Sequence, residues 1–180
     1  MEEKVFKALT KRGRNADINL QCIFIHWRDY INLGEDALRA VIPAKMHGIR
    51  SEVGIALMNI WKYLKENDGT IINTVANLLN QAYKDFLLYN EDQNFTIIIF
   101  CHSLGSAIIH DICINSKVKL EFKINHMIMA GSPVGLFLML RDGIDRKDLA
   151  IPKCVGRLYK VNHPCDPVYH RIGKYLFLKN

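Results

Sequence analysis

No stretch of this 180-residue chain holds the roughly 18 to 20 consecutive apolar residues that a membrane-spanning helix needs. Any membrane contact is therefore expected at the surface. The amino-terminal MEEKVFKALTKRGR is charged where a secretory leader would be apolar. Cysteine is sparse and uneven, five residues with none in CxxC spacing. That count disfavours a disulfide framework and a zinc site, and fits free thiols in a reducing compartment. Internal repeats, low-complexity tracts and blocks of consecutive basic residues are also missing. The expected location is cytoplasmic, with peripheral attachment to intracellular membranes.

What is there is the composition of an ordinary globular protein, 49% apolar and 23% charged. The length suits one domain, residues 1–180, with a substantial core, and is too short for two. Lys and Arg outnumber Asp and Glu, 24 to 18, for a formal charge of +6. A positive balance favours anionic partners, either nucleic acid or an acidic membrane surface, and the sign alone does not choose.

Along the chain, residues 2–12 can form a short helix. "INLQCIFIHW" (18–27) reads as a strand, and residues 28–50 as an irregular connection. Val53, Leu57, Ile60, Trp61 and Leu64 then fall at helical spacing, and Asn67-Asp68-Gly69 ends that helix. Ile71, Ile72, Val75, Leu78, Leu79, Ala82, Tyr83 and Phe86 form the clearest amphipathic stripe in the chain. "FTIIIFC" (95–101) is apolar without alternation, the mark of a strand buried on both faces. A helix follows over about 104–114, a second buried strand over 122–131, a short helix over 132–140 and a strand over 156–163. Strands alternating with helices predict an α/β-hydrolase-like parallel sheet with helices on both faces. Residues 95–101 are expected at its centre, flanked by 20–26, 123–130 and 157–162.

The abrupt change in "IIIFCHSLGSAIIHDI" (97–112) carries the chemistry. Ser103 stands just past a strand and just before a helix, at the carboxyl end of the sheet where open α/β proteins place their sites. A nucleophile held on such a turn needs small residues beside it. Gly105 supplies one, and Cys101 takes the place of the first glycine in G-x-S-x-G, with His102 between Cys101 and Ser103. The turn brings the Leu104 amide to the start of the helix, where it can donate to a developing oxyanion. The plainer reading is that Ser-x-Gly after a strand is common.

Asp166, in "NHPCDPV", follows the last strand at the same end, and the order Ser then Asp is that of a Ser-Asp-His hydrolase. Otherwise it is an Asp-Pro turn residue. A triad needs a histidine beyond the acid, and only His170 follows Asp166, four positions on. His163 reads as a structural residue binding backbone at a strand end. His110 and His126 fall inside a helix and a strand, and His102 is expected to point away from the site.

These stretches together resemble the DDHD-domain family, intracellular phospholipase A1 enzymes that prefer phosphatidic acid. "LQCIFIHWRDYI", "HGIRSEVGIALMNIWKYL", "NLLNQAYKDFLLYN", "CHSLGSAIIHDI", "MAGSPVGLFLMLRDG" and "RLYKVNHPCDPVYHRI" match its segments in order. The resemblance implies Ser103 as nucleophile, Asp166 as a triad or domain-naming aspartate, and a phospholipid membrane surface bearing anionic lipid as partner, with no nucleic acid. It implies no required cofactor. The family's suspected divalent metal would have only Asp166 here. The other reading is a catalytically incomplete fragment serving as a lipid-binding or interaction module, as DDHD domains do in phosphatidylinositol transfer proteins.

Against the family pattern the chain reads as the middle of the domain, without the His-Gly strand before it or the later Asp and His. On that reading it should show little or no turnover of phosphatidic acid. Assaying it beside Ser103→Ala checks this, since triad catalysis falls by orders of magnitude without its base. Turnover that Ser103→Ala abolishes would place a base inside the chain, and His170→Asn would decide whether it is His170.

Overall fold

The computed structural model describes residues 20–30, 40, 47–65, 69–90, 94–142 and 151–166. After a 3-10 turn, two α-helices come first among the described residues, α1 (His47–Lys65) and α2 (Thr70–Tyr89), the second starting from Gly69 at φ 72°. That left-handed backbone is where glycine costs least; the Asn67-Asp68 part of the expected helix end lies outside the described residues. Strands and helices then alternate: β1 (Ile98–His102), α3 (Leu104–Ile114), β2 (Ile124–Ala130), α4 (Val134–Asp142) and β3 (Val155–Val161). The strands form one parallel sheet in the order β1-β2-β3, with His102 level with Ala130 and Ala130 level with Val161. The fold is α/β, as expected.

Two expectations are corrected. Residues 20–26 do not form a strand; they run without sheet pairing into a 3-10 turn at Trp27–Tyr30. β1 is not central but lies at the edge of the three-stranded sheet, and β2 holds the centre. The continuous apolar run of β1 misled because its alternate residues are not equally covered. Cys101 is buried, while Ile98 and Phe100 stay 51% and 66% exposed. Among the described residues, α3 and α4 cover one face of the sheet. Cys101, Met127 and Met129 point into the core, whereas Phe100, Tyr159 and Val161 point out. The physical reason is handedness. Two successive right-handed crossovers moving in one direction, β1 to β2 to β3, put α3 and α4 on the same side of the sheet.

The core joins that covered face to the helices. Ile108 and Ile112 of α3, Val134 and Phe137 of α4, and Val75 of α2 pack with Met127 and Met129. Phe86 and Tyr83 of α2 hold the approach to the sheet, with ring centroids 5.0 Å from Phe95 and Phe122 respectively. α1 is turned differently from its apolar spacing, leaving Leu57 and Trp61 exposed while Ile55, Asn59 and Tyr63 are buried. The Tyr63 hydroxyl donates to the Asp111 carboxylate of α3, and its ring stacks on Phe137. A buried carboxylate requires a donor, so this bond fixes which face of α1 turns inward. The expected helix over residues 2–12 lies outside the described residues.

Ile108 is 1% exposed at the centre of this packing. Ile108→Ala should cost about 2–5 kcal/mol of unfolding free energy, read as a lower denaturant midpoint at unchanged slope.

Candidate active site

β1 ends at His102 and α3 begins at Leu104, which leaves Ser103 alone between strand and helix. Its backbone sits at φ 50°, ψ −124°, and it is the positive-φ non-glycine residue of the described chain. Holding an L-residue there costs on the order of 1–3 kcal/mol, so the surroundings must impose it. The Ser103 N–H donates to the Ala130 carbonyl at 2.9 Å, tying the turn to the end of β2. Its own carbonyl accepts the Ser106 N–H at 3.0 Å and the Ser106 hydroxyl at 2.6 Å. With that proton spent, Ser106 Oγ accepts from Ser132 Oγ, 2.8 Å away, and Ser132 Oγ accepts the Val134 N–H at 3.3 Å. Ser106 and Ser132 are both fully buried.

A serine at the start of a helix ordinarily uses its hydroxyl to cap the first N–H groups. Ser103 makes no such bond. Its side chain is half-buried and keeps its hydroxyl for other partners. Leu104, buried beside it, carries the first amide of α3, which has no acceptor inside the helix and lies at the positive end of the helix dipole. A serine oxygen beside such a donor is an arrangement that can attack a carbonyl and hold the resulting oxyanion.

Cys101 is buried and its thiol donates to the Ile128 carbonyl at 3.3 Å. Burial pushes that thiol up to about 12, so it stays protonated and is no rival nucleophile. Gly105 does not have the expected role. A Cβ there would meet nothing within 4 Å, because the close approach occurs at another glycine. That glycine is Gly131, directly after β2, at φ 53° and with its N–H bonded to the Val161 carbonyl at 3.0 Å. A Cβ on Gly131 would lie 2.8 Å from Asp166 Oδ2 and 3.6 Å from His102 Nε2.

Asp166 is thus brought to the same end of the sheet as Ser103, reaching back over Gly131 after β3. Its N–H donates to the His163 carbonyl at 3.1 Å, and His163 Nδ1 accepts the Cys165 N–H at 3.2 Å. His163 therefore binds backbone at the strand end, the role its sequence position predicted. The His102 imidazole also comes to Gly131, its Nε2 3.6 Å from where a Cβ would be. His110 is buried with Nδ1 3.6 Å from Asp111 Oδ1, and His126 packs on Tyr159 at 5.7 Å. His170 lies outside the described residues. A groove of about 560 Å³ between residues 21–30 and α2 is lined by Phe24, Tyr30, Phe86 and Tyr89, and none of the candidate residues borders it. Among the described residues no three His, Cys, Asp or Glu side chains gather as metal ligands. Ser106, Ser132 and Gly131 were not foreseen as site residues; "GSP" in the strand-to-helix junction at 131–133 was the available signal.

Residues 120–176 match the DDHD domain family. A probable mitochondrial phospholipase of Saccharomyces cerevisiae is 26% identical over 94% of this chain and 27% of its own length. The intracellular phospholipase A1 of Caenorhabditis elegans is 23% identical over 82% of this chain and 25% of its own length. Phospholipase DDHD1 of Mus musculus is 22% identical over 96% of this chain and 44% of its own length. The chain thus spans between a quarter and a half of the length of these relatives. No solved structure matches it. No helix of the described residues is long and apolar enough to cross a membrane.

The two glycines should separate cleanly in unfolding measurements. Gly105→Ala, inside α3 with open space around it, should be neutral or stabilising by up to about 1 kcal/mol. Gly131→Ala should destabilise by more than about 1 kcal/mol, because it combines an unfavourable φ with a displaced carboxylate. Equal effects would refute the close approach at Gly131. With the fold intact, iodoacetamide should label exposed Cys165 and spare Cys101, which peptide mass spectrometry reads directly.

Proposed function

Since residues 120–176 carry a DDHD domain and the chain is related to phospholipases over most of its length, we propose that it is a lipid acyl-ester hydrolase of the phospholipase A1 type. Its substrates are anionic phospholipids such as phosphatidic acid. In this reading the Ser103 hydroxyl attacks the ester carbonyl and the Leu104 amide holds the oxyanion. The proton passes to a histidine oriented by Asp166, for which His170 is the candidate from sequence order. Collapse of the tetrahedral intermediate breaks the carbonyl–alkoxy bond, the protonated histidine hands its proton to the lysophospholipid alcohol, and water hydrolyses the acyl-serine. The net charge of +6 suits an anionic headgroup at a membrane surface. Peripheral attachment from the cytoplasm belongs to the same reading.

The single observation that carries it is Ser103 itself, a helix-start serine at φ 50° whose hydroxyl does not cap its helix. Its backbone is held in that strained conformation by Ala130 and Ser106 while the hydroxyl is left out of the helix cap.

Irreversible capture tests this independently of turnover, because a slow nucleophile still accumulates adduct. Incubated with a fluorophosphonate, the chain should acquire one adduct, located at Ser103 by peptide mass spectrometry, and Ser103→Ala should acquire none. Co-sedimentation with phosphatidic acid vesicles in parallel separates the readings. Binding without any Ser103 adduct would overturn the hydrolase in favour of a lipid-binding module.

A further inference from the structure

Three residues meet at one point on the carboxyl end of the sheet. Gly131 contributes an absence, and Asp166 Oδ2 and His102 Nε2 lie 2.8 Å and 3.6 Å from where its Cβ would be. At 2.8 Å a carbon atom and a carboxylate oxygen overlap, so any side chain at 131 would push Asp166 out of its place. His102 lies across the same point and is exposed, which keeps its ring within reach of solvent. It is also the residue that precedes Ser103, the last of β1 and level with Ala130 in the sheet. The Ala130 carbonyl takes the Ser103 N–H, and Gly131 comes next along the chain. His102, Ser103 and Gly131 therefore meet at the ends of β1 and β2, and Asp166, past the end of β3, reaches them with its carboxylate.

The geometry points to Gly131 and His102 as positioning residues that seat the Asp166 carboxylate beside the Ser103 turn. Gly131 does so by leaving out a Cβ. His102 does so by bringing its Nε2 to the same point, near enough for the imidazole and the carboxylate to act on each other through one bridging water. This deepens the hydrolase reading and rests on it. Asp166 can orient a catalytic histidine only from a fixed place, and that place is set by a residue outside the serine motif and by the histidine inside it. Asp166 also hydrogen-bonds its own turn through its N–H, to the His163 carbonyl. Backbone and carboxylate are thus held separately, and the carboxylate can be moved without unmaking the turn.

The experiment is a set of variants of the 180-residue chain read in two ways. The first reading is the rate of fluorophosphonate capture at Ser103. Gly131→Ala and Asp166→Asn should each slow it about tenfold to a hundredfold, and the double variant should be no slower than either. His102→Ala should slow it likewise, and His102→Gln, whose amide nitrogen can occupy the place of Nε2, should restore most of the rate. A double variant slower by the product of the two factors, or a Gly131→Ala that captures at the original rate, would overturn the proposal. The second reading does not depend on Ser103 chemistry. The His102 Nε2 nitrogen resonance should move on Asp166→Asn and in the same direction on Gly131→Ala, while the His110 resonances stay in place. A His102 resonance unmoved by either change overturns the proposal. If the unaltered chain is never captured at Ser103, the hydrolase reading fails on that count, and the resonances alone decide whether Gly131 and His102 seat Asp166.

Discussion

The backbone of Ser103 is the constraint on which the site depends. An L-residue at φ 50° lies outside its comfortable range by on the order of 1–3 kcal/mol, and nothing in its side chain offsets that. The stabilisation comes from three hydrogen bonds to its peptide groups, one from its N–H to Ala130 and two into its carbonyl from Ser106. Each contributes about 0.5–1.5 kcal/mol net, so together they match the strain. The hydroxyl of Ser106 gives its one proton to that carbonyl and shares its other hydrogen bond with Ser132, which is held by the first turn of α4. The strained turn is thus fastened to the next helix but one through a file of buried serines. Neither helix can shift without releasing it.

The same logic explains why the functional groups gather at one end and the helices on one side. Parallel strands present all their carboxyl ends together. Right-handed crossovers in a single direction stack α3 and α4 on one face, leaving the Phe100, Ile128 and Tyr159 face without helix cover among the described residues. The amino ends carry the aromatic packing of Phe95, Phe122, Tyr83 and Phe86. Rigidity at one end and open groups at the other follow from strand direction alone.

What could be read in the sequence follows from this. The helix α2 was legible because one stripe of it is buried, and α3 and β2 because their apolar runs are buried in the core. β1 was legible as a strand and misread as central, because an apolar run records hydrophobicity and not which neighbour covers it. Residues 20–26 have the composition of a strand, but a strand exists only with a hydrogen-bonding partner, and composition does not name one. The orientation of α1 was hidden for a different reason. It is set by a polar bond, Tyr63 to Asp111, that outweighs the apolar spacing of Leu57 and Trp61. At the site, Ser103 was legible from the strand-to-helix change. The Ser106–Ser132 file and the meeting over Gly131 were not, since they join residues 26 to 35 positions apart that only the sheet register brings together.

Cys101 shows how a departure from a motif can be reconciled with its chemistry. The position before His102 wants a small side chain, because it points into the core where α3 crosses the sheet. A thiol satisfies that volume, but it also introduces a group more nucleophilic than the serine two residues on. Burial removes the difficulty. With its thiol pushed up to about 12 and its proton engaged by the Ile128 carbonyl, Cys101 is neutral throughout the physiological range. Its side chain points into the core, where Cys101 is 5% exposed. Turning inward makes the cysteine inert, whereas at Ser103 the backbone leaves the strand and its oxygen is presented at the sheet's end. Two adjacent steps of backbone geometry thus separate the two candidate nucleophiles more effectively than residue type could.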